Sequence, residues 1–209
     1  MSITPATTPG GRARQVADAA IAVLADHGAR GLTHRAVDQA AGLPPGTTSN
    51  YARTREALLT LTLTRIAELD ATEGAAGLYG SEISGGGVSG GGLAEGLAWM
   101  LHRMITDDGM RRRVRARFEL ALEANRRPEL RAAYDEMGQR FRAEAARLLA
   151  ASGSAEPERD AWTLIAWLEG TAFYALAGAG TKAAPPLDVL RDQLARLLAR
   201  LCGDDAGAA

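Results

Sequence analysis

Residues 32–55 read LTHRAVDQAAGLPPGTTSNYARTR, and their spacing predicts two short helices joined by a tight turn. Thr33 can cap a first helix from 33 to 41, in which apolar residues recur at helical spacing. Gly42 can adopt the left-handed conformation that ends such a helix. The proline pair that follows suits the first turn of a second helix, predicted over Gly46–Tyr51, because the amides of that turn have no intrahelical partner.

The second predicted helix is rich in hydroxyl and amide side chains, and this is typical of a helix-turn-helix. In that motif the second helix enters the DNA major groove and its first residues meet base edges. Small residues let the backbone approach the bases, and threonine hydroxyl and methyl groups can read them. The predicted base-reading residues are Pro45, Gly46, Thr47 and Thr48. An ordinary helical hairpin with a glycine turn remains open as an alternative at this stage.

The surrounding sequence resembles the N-terminal domain of the TetR family of bacterial transcriptional regulators. The resemblance covers residues 12–69 and rests on four features in order, which are Gly31-Leu32-Thr33, Ala41-Gly42-Leu43, Gly46-Thr47 and Asn50-Tyr51. It implies an all-α protein with an N-terminal three-helix helix-turn-helix DNA-binding domain, followed by a helical ligand-binding and dimerisation domain. One position departs from the family pattern, since Ala52 stands where the family usually has an aromatic ring.

Residues around the recognition helix are also implied to contact DNA. Tyr51 matches a family position that commonly contacts phosphate, and Arg55 matches a basic position at the start of the next helix. A solvated helix-end charge is the alternative for Arg55, and His34 could meet a phosphate from the first turn of its helix. The predicted DNA-binding set is Thr33, His34, Arg35, Pro45, Gly46, Thr47, Thr48, Asn50, Tyr51, Arg53 and Arg55.

Charge is distributed unevenly along the 209 residues, although the whole chain carries a formal charge of only −1. Residues 1–55 hold six arginines and three aspartates, for a net charge of +3. The remaining residues hold eighteen basic and twenty-two acidic side chains, for a net charge of −4. A basic N-terminal third on a mildly acidic body is expected of a DNA-reading head attached to a body that does not bind DNA.

The chain order predicts three parts. These are a flexible arm over 1–11, the DNA-binding domain over 12–55, and a helical domain over 73–209 that a helix over 54–72 links to it. A glycine-rich loop is predicted over 74–92. The other predicted helices span 12–27, 93–106, 109–125, 128–151, 156–176 and 187–201.

A small-molecule pocket in the helical body is implied by the resemblance, and its liners are predicted from the bulky apolar residues there. An ordinary core role is the alternative for each of them. The set is mostly apolar with a few polar anchors, which suits a mostly apolar effector. It comprises Trp99, Met100, His102, Met104, Phe118, Glu119, Leu122, Tyr134, Met137, Trp167, Phe173 and Tyr174.

The last predicted helix carries leucines at steps of four, three and four, which is the seam of a helix packed against other helices. In the family, the final two helices of each subunit form a four-helix dimer interface. The predicted interface residues are Trp162, Ile165, Leu190, Leu194, Leu197 and Leu201. A seam that packs only within its own chain is the alternative.

Signals for other classes of protein are not found in the sequence. It contains no HExxH, CxxC, G-x-S-x-G or P-loop lysine motif, so we predict no enzyme activity, metal or cofactor. With one cysteine, no apolar run near 20 residues and no signal peptide, we expect a cytoplasmic protein without membrane contact. The sequence predicts a homodimeric repressor that leaves a palindromic double-stranded DNA operator when a small, mostly apolar effector binds. A regulator without a small-molecule response, and a helical enzyme or carrier with a structural hairpin, remain as alternatives.

Overall fold

The computed structural model describes residues 9–79, 90–181 and 184–203. Within these residues every regular element is a helix, which confirms the all-α prediction. The α-helices are α1 (Pro9–Gly31), α2 (His34–Ala40), α3 (Arg55–Tyr79), α4 (Gly90–Thr106), α5 (Asp108–Ala124), α6 (Pro128–Ala151), α7 (Pro157–Leu176) and α8 (Leu187–Cys202), and a 3₁₀ helix spans Thr48–Asn50.

Helix α1 contains a break at Gly28, where the backbone leaves the helical region with φ of 66° and ψ of −177°. A side chain at this φ would be strained, so glycine ends the first helical stretch as the sequence predicts. Helix α1 begins at Pro9, before the predicted start at Arg12. Residues 1–8 of the predicted arm lie outside the described residues.

Helix α2 begins and ends by the devices that its sequence predicts. The Thr33 hydroxyl accepts a hydrogen bond of 3.1 Å from the amide of Ala36, which caps the helix. Gly42 adopts the left-handed conformation with φ of 63°, and the next amide, from Leu43, donates to the carbonyl of Asp38 at 2.9 Å. These bonds satisfy carbonyls that the helix end would otherwise leave unpaired.

The second helix of the pair is shorter than predicted. Instead of a helix over Gly46–Tyr51, turns lead to a single 3₁₀ turn over Thr48–Asn50. Gly46 has a φ of 89°, which a right-handed helix does not permit, so the helix cannot start there. The prediction was wrong because it read the proline-glycine segment as a helix start.

Helix α3 is longer than predicted. Thr54 caps it, accepting a hydrogen bond of 3.1 Å from the amide of Ala57. The helix continues to Tyr79, and α4 begins at Gly90, so the ends of the predicted loop over 74–92 are helical. The predicted loop residues 80–89 lie outside the described residues.

The chain divides into two compact units. The first comprises the described residues up to 69 together with 112–134, and the second comprises 70–111 and the residues from 135 onward. Residues 112–134 therefore group with the N-terminal helices, although the predicted boundaries assign them to the 73–209 domain. Sequence order could not show this, because the grouping depends on tertiary contacts of α5.

The core of the first unit is built from the apolar faces of its helices. Fully buried leucines come from α1, α3 and α5, and Leu32 closes the junction between α1 and α2. On α1, Val16, Ala20 and Leu24 are all fully buried. These helices hold the helix-turn-helix as one packed body.

In the second unit, α4 packs most extensively against α8 and also contacts α7. Leu190 and Leu194 of α8 are fully buried in this packing. The guanidinium of Arg191 also pairs with the carboxylate of Glu95 on α4, with one N–O distance of 3.1 Å. The first two leucines of the predicted α8 seam therefore belong to the chain's own core.

Candidate DNA-binding surface

The turn between α2 and the 3₁₀ helix is tied to α2 by one buried carboxylate, that of Asp38. Its Oδ2 accepts a hydrogen bond of 2.7 Å from the amide of Gly46. Its Oδ1 accepts from the amide of Thr48 at 2.7 Å and from the hydroxyl of Thr48 at 2.6 Å. Asp38 is only 3 % exposed, so these three donors replace water around the carboxylate. The carboxylate thereby fixes the position of the 3₁₀ helix relative to α2.

The environment of Asp38 favours its ionised form. Burial raises the pKa of this carboxyl, but the hydrogen bonds from Thr48 and Gly46 and the nearby His34 outweigh burial, so the pKa lies below its ordinary value. The group is therefore charged at neutral pH. A charged acceptor strengthens each of the three bonds.

His34, one turn before Asp38 on α2, holds the far end of the same segment. Its Nε2 lies 2.6 Å from the carbonyl oxygen of Ala52, and a proton on Nε2 makes this contact a hydrogen bond. Ala52 is fully buried, and its amide donates to the carbonyl of Thr48. In this conformation the imidazole contacts the carbonyl of Ala52 at the end of the turn, whereas the prediction gave it a contact with a DNA phosphate.

Thr48 and Arg55 are also directed inward, unlike in the prediction. Thr48 is fully buried and its hydroxyl is committed to Asp38, so it cannot read bases in this conformation. Arg55 donates from one nitrogen to the carbonyl of Leu32 at 2.7 Å and from another to the carbonyl of Ala29. Its guanidinium thus braces the junction between α1 and α2, and the predicted phosphate contact stays a prediction.

The other predicted DNA-binding side chains point outward or lie half-exposed. Thr47 is half-buried and its hydroxyl donates to the carbonyl of Pro44 at 2.6 Å. Ser49, which is not in the predicted set, is exposed inside the 3₁₀ helix. Its neighbour Thr48 is buried, and this difference between the two adjacent residues is seen only in the structure. The exposed residues of the predicted set are Thr33, Arg35, Pro45, Gly46, Asn50, Tyr51 and Arg53.

A polar network in the first unit holds the α1–α2 junction against α5. The carboxylate of Glu119 accepts a hydrogen bond of 3.1 Å from the amide of Ala29, beside the break at Gly28. One turn later, Glu123 accepts from Arg127 at 2.8 Å, and Arg127 also pairs with Glu56 at the start of α3. The bond from Arg127 lowers the pKa of Glu123, so this carboxylate is ionised at neutral pH. Glu119 is thus used by the junction, although it was predicted to anchor a ligand.

The remaining predicted ligand residues are divided between the two units. In the first unit, Phe118 and Tyr134 are half-buried and Leu122 is exposed. In the second unit, Met137 is buried, Trp99, Phe173 and Tyr174 are exposed, and Met100, His102, Met104 and Trp167 are half-buried. Arg103 stacks over the Trp99 ring at 5.0 Å, and Tyr174 lies against Gly180, leaving no room for a side chain there. That these residues line a pocket stays a prediction.

The predicted dimer residues also separate into two groups. Leu190 and Leu194 are fully buried within the chain, which corrects their assignment to an interface between subunits. Leu197, Leu201 and Ile165 are half-buried, whereas Trp162 on α7 is 68 % exposed. The exposed face of α7 continues from Trp162 at helical spacing through Ala166, Gly170 and Phe173. We call these four residues the α7 stripe.

The model of the tetracyclin repressor-like C-terminal domain matches residues 89–202, more than half of the chain. The chain belongs to the TetR family. TetR-family members are transcriptional regulators with an N-terminal helix-turn-helix and a C-terminal helical domain, and both parts are present here.

Solved structures agree with this TetR assignment. The multidrug binding protein EbrR complexed with imidazole is 31 % identical, covers 89 % of this chain and 94 % of its own, and superposes with a TM-score of 0.63. A TetR-family member from Streptomyces coelicolor A3 is 28 % identical, with a TM-score of 0.64 and coverage of 89 % and 97 %. A transcriptional regulator from Rhodococcus sp. Rha1 shares the fold at 22 % identity, with a TM-score of 0.71 and coverage of 90 % and 95 %. No curated protein matches the chain.

Two further features bear on the kind of protein this TetR-family chain is. Within the residues that the structure describes, no group of three or more histidine, cysteine, aspartate or glutamate side chains is arranged to hold a metal ion. No helix in the described ranges is long and apolar enough to cross a membrane.

Proposed function

We propose that this protein is a homodimeric, cytoplasmic repressor that binds a palindromic operator and leaves it when a small, mostly apolar molecule binds its body. The observation that carries the proposal is the Asp38-tethered turn. It presents a short edge, from Pro45 to Tyr51, in which all residues except Thr47 and Thr48 are exposed. Preorganised small and polar side chains are what base readout in the major groove requires. The two Gly positions at 42 and 46 allow the tight path of this edge.

Within this edge, the exposed side chains have different roles. Asn50 carries an amide that can pair with a base edge, so we assign it to sequence readout. Tyr51 and Arg53 lie at the end of the 3₁₀ helix and can donate to phosphate oxygens, so we assign them to positioning. Thr33 and Arg35 sit at the start of α2, where a helix N-terminus favours an anionic phosphate.

Fluorescence anisotropy tests the DNA interaction. The purified protein is titrated onto DNA from upstream of its own gene and onto a scrambled duplex, each at two salt concentrations. We expect tight, salt-dependent binding to the upstream DNA at two protomers, or a multiple of two, per site. Arg53→Ala should weaken binding to both duplexes, whereas Arg140→Ala, an exposed arginine on α6, should not. Equal, weak binding of the wild type to both duplexes would argue against this operator, and selection of bound genomic fragments would then decide between a different operator and no specific DNA binding.

Dimerisation is proposed to use the α7 stripe. Trp162 and Phe173 expose large apolar surfaces, and the small Ala166 and Gly170 between them allow a second helix to approach closely. Burying such a stripe against its copy removes apolar surface from water. Sedimentation velocity should show a wild-type dimer and a Trp162→Asp monomer, while Leu122→Asp, at a similarly exposed leucine of the other unit, should remain dimeric. A Trp162→Asp variant that still sediments as a dimer would remove the α7 stripe from the interface.

The effector is proposed to be a small aromatic molecule. EbrR has been crystallised with imidazole, proflavin and ethidium, in structures 28–31 % identical to this chain. The predicted liners include several aromatic side chains that can stack on a planar ligand, among them Trp167. Thermal denaturation with increasing proflavin or ethidium should raise the midpoint, because a ligand that binds only the folded state stabilises it. The assay omits DNA, since planar aromatic cations also stack between base pairs.

A matched pair of variants locates this effector site. Trp167→Leu should reduce the thermal shift, whereas Tyr51→Ala, in the DNA-binding edge, should retain it. A shift that both variants retain would place the ligand away from Trp167. No shift with any planar aromatic compound would favour a regulator that does not respond to such molecules.

A further inference from the structure

The first unit contains an open cavity of about 810 Å³ at the junction between α1 and α2. It lies entirely within this unit, beside the last turn of α5 and the segment that leads to α6. It is lined by His27, Gly28, Ala29, Arg30, Arg55, Glu119, Glu123, Arg126 and Arg127. None of these residues except Glu119 belongs to the predicted effector pocket.

The lining is positively charged. It contains four arginines and two glutamates, so with neutral histidine its net charge is +2. Glu56, which pairs with Arg127 from outside the lining, leaves the balance still positive at +1 when it is counted. Arg55 adds to this excess because its guanidinium donates to two neutral carbonyls rather than to a carboxylate.

Two arginines of the lining retain free hydrogen-bonding capacity. Arg126 has a side chain that is 76 % exposed and is paired only loosely with Glu123, at 3.6 Å. Within the described chain, Arg30 makes neither an ion pair nor a side-chain hydrogen bond. In contrast, Glu119, Arg55 and Arg127 are held in place by hydrogen bonds within the unit. The lining therefore combines side chains held by internal hydrogen bonds with two arginines, Arg30 and Arg126, whose guanidinium groups can still bind a ligand.

We propose that this cavity binds a small multivalent anion, of the phosphate-ester or diphosphate class, between Arg30 and Arg126. The planar guanidinium presents several donors in a fork that matches the oxygens of such anions. A ligand carrying two or more negative charges can pair with both arginines at once. This anion site differs in position and chemistry from the proposed aromatic effector site, and it does not depend on that site.

Isothermal titration calorimetry with inorganic pyrophosphate tests the proposal, with chloride used to keep ionic strength constant. The variants are Arg126→Ala, Arg30→Ala and Arg126→Lys. Arg140→Ala is the matched control, because Arg140 is 78 % exposed and pairs with a glutamate one turn earlier on its own helix. Circular dichroism melting of each variant checks that the fold is retained.

We expect saturable binding of one pyrophosphate per chain to the wild type and to Arg140→Ala. Arg126→Ala and Arg30→Ala should each weaken it about tenfold, since each removes hydrogen bonds to a charged group. Arg126→Lys should weaken it less, because the charge remains while the fork is lost. The proposal is overturned by non-saturating heat in the wild type or by equal losses in Arg126→Ala and Arg140→Ala. It is also overturned if the arginine variants weaken DNA binding while the wild type does not bind pyrophosphate, because the arginines would then serve the DNA backbone.

Discussion

Replacing Asp38 with asparagine tests whether one carboxylate organises the DNA-binding turn. Asparagine keeps the shape of the side chain, and its carbonyl oxygen can accept the two bonds from Thr48. Its amide nitrogen must then face the amide of Gly46, which is also a donor, so that bond is lost. The two surviving bonds lose their charge assistance.

The expected cost follows from these three bonds. A hydrogen bond to a charged group contributes about 1.5–3 kcal/mol and a neutral one about 0.5–1.5 kcal/mol. Losing one bond and weakening two, partly offset by the smaller cost of burying a neutral group, gives a net loss of about 2–3 kcal/mol for Asp38→Asn. This is a large share of the roughly 5–15 kcal/mol that stabilises a typical domain.

Hydrogen exchange of the peptide covering residues 42–52 measures this loss where it occurs. Because one tenfold change corresponds to about 1.36 kcal/mol, protection of the slowest amides there should fall by about 30- to 150-fold. Asp26→Asn, an exposed aspartate on α1 whose nearest arginine is 3.7 Å away, is the control and should leave this peptide unchanged. Unchanged protection in Asp38→Asn would refute the reasoning.

The pH dependence gives a second, independent check on Asp38. The folded state lowers its pKa, so its contribution is fully present above the unfolded pKa of about 3.9 and is lost as pH falls through the folded value. The difference in urea stability between wild type and Asp38→Asn, followed by circular dichroism, should therefore be constant from pH 7 to pH 5 and shrink below about pH 4. A difference that stays constant down to pH 3 would show that the charge of Asp38 is not the cause.

Three further substitutions separate the roles of neighbouring residues. Thr48→Val should lower the urea stability by about 1 kcal/mol through loss of the bond to Asp38, while base preference in a DNA-selection assay stays unchanged, because the residue is buried. Asn50→Ala should do the opposite, changing base preference in the same assay without lowering the urea midpoint. Gly28→Ala should cost about 1–2 kcal/mol of urea stability because alanine is strained at φ of 66°, and a matched Ala13→Gly exchange on α1 should not reproduce the size of that loss.

The body helices were predictable because each has a clear period and clear ends. Helix α6 starts at a proline and α7 at another, and both observed ranges match the predictions to within a residue. The caps at Thr33 and Thr54 and the left-handed Gly42 were predictable for the same reason, since each depends on residues within four positions. Local rules work where the interaction is local.

Apart from the helix over Gly46–Tyr51, the predictions that failed depend on distant partners. Burial of Thr48 is decided by Asp38, ten residues earlier, and no spacing rule relates the two. Arg55 turns inward to carbonyls more than twenty residues away. The leucine seam of α8 shows that the helix has an apolar face, but the same pattern fits a partner within the chain and a partner in a second subunit. Only the packing of α8 against α4 assigns Leu190 and Leu194 to the chain's own core.

These inward-facing residues determine how mutational data on the DNA-binding head must be interpreted. Alanine at His34, Thr48 or Arg55 removes an internal bond and should weaken DNA binding by distorting the turn, so affinity alone would mark all three as contacts. Salt dependence distinguishes the cases, because each cationic contact to phosphate contributes about 0.9 to the slope of log affinity against log salt. Arg53→Ala should reduce the slope by about this amount, whereas Arg55→Ala should lower affinity and urea stability with the slope retained. If Arg55→Ala reduced the slope as Arg53→Ala does, Arg55 would have to leave the carbonyls of Ala29 and Leu32 when DNA binds.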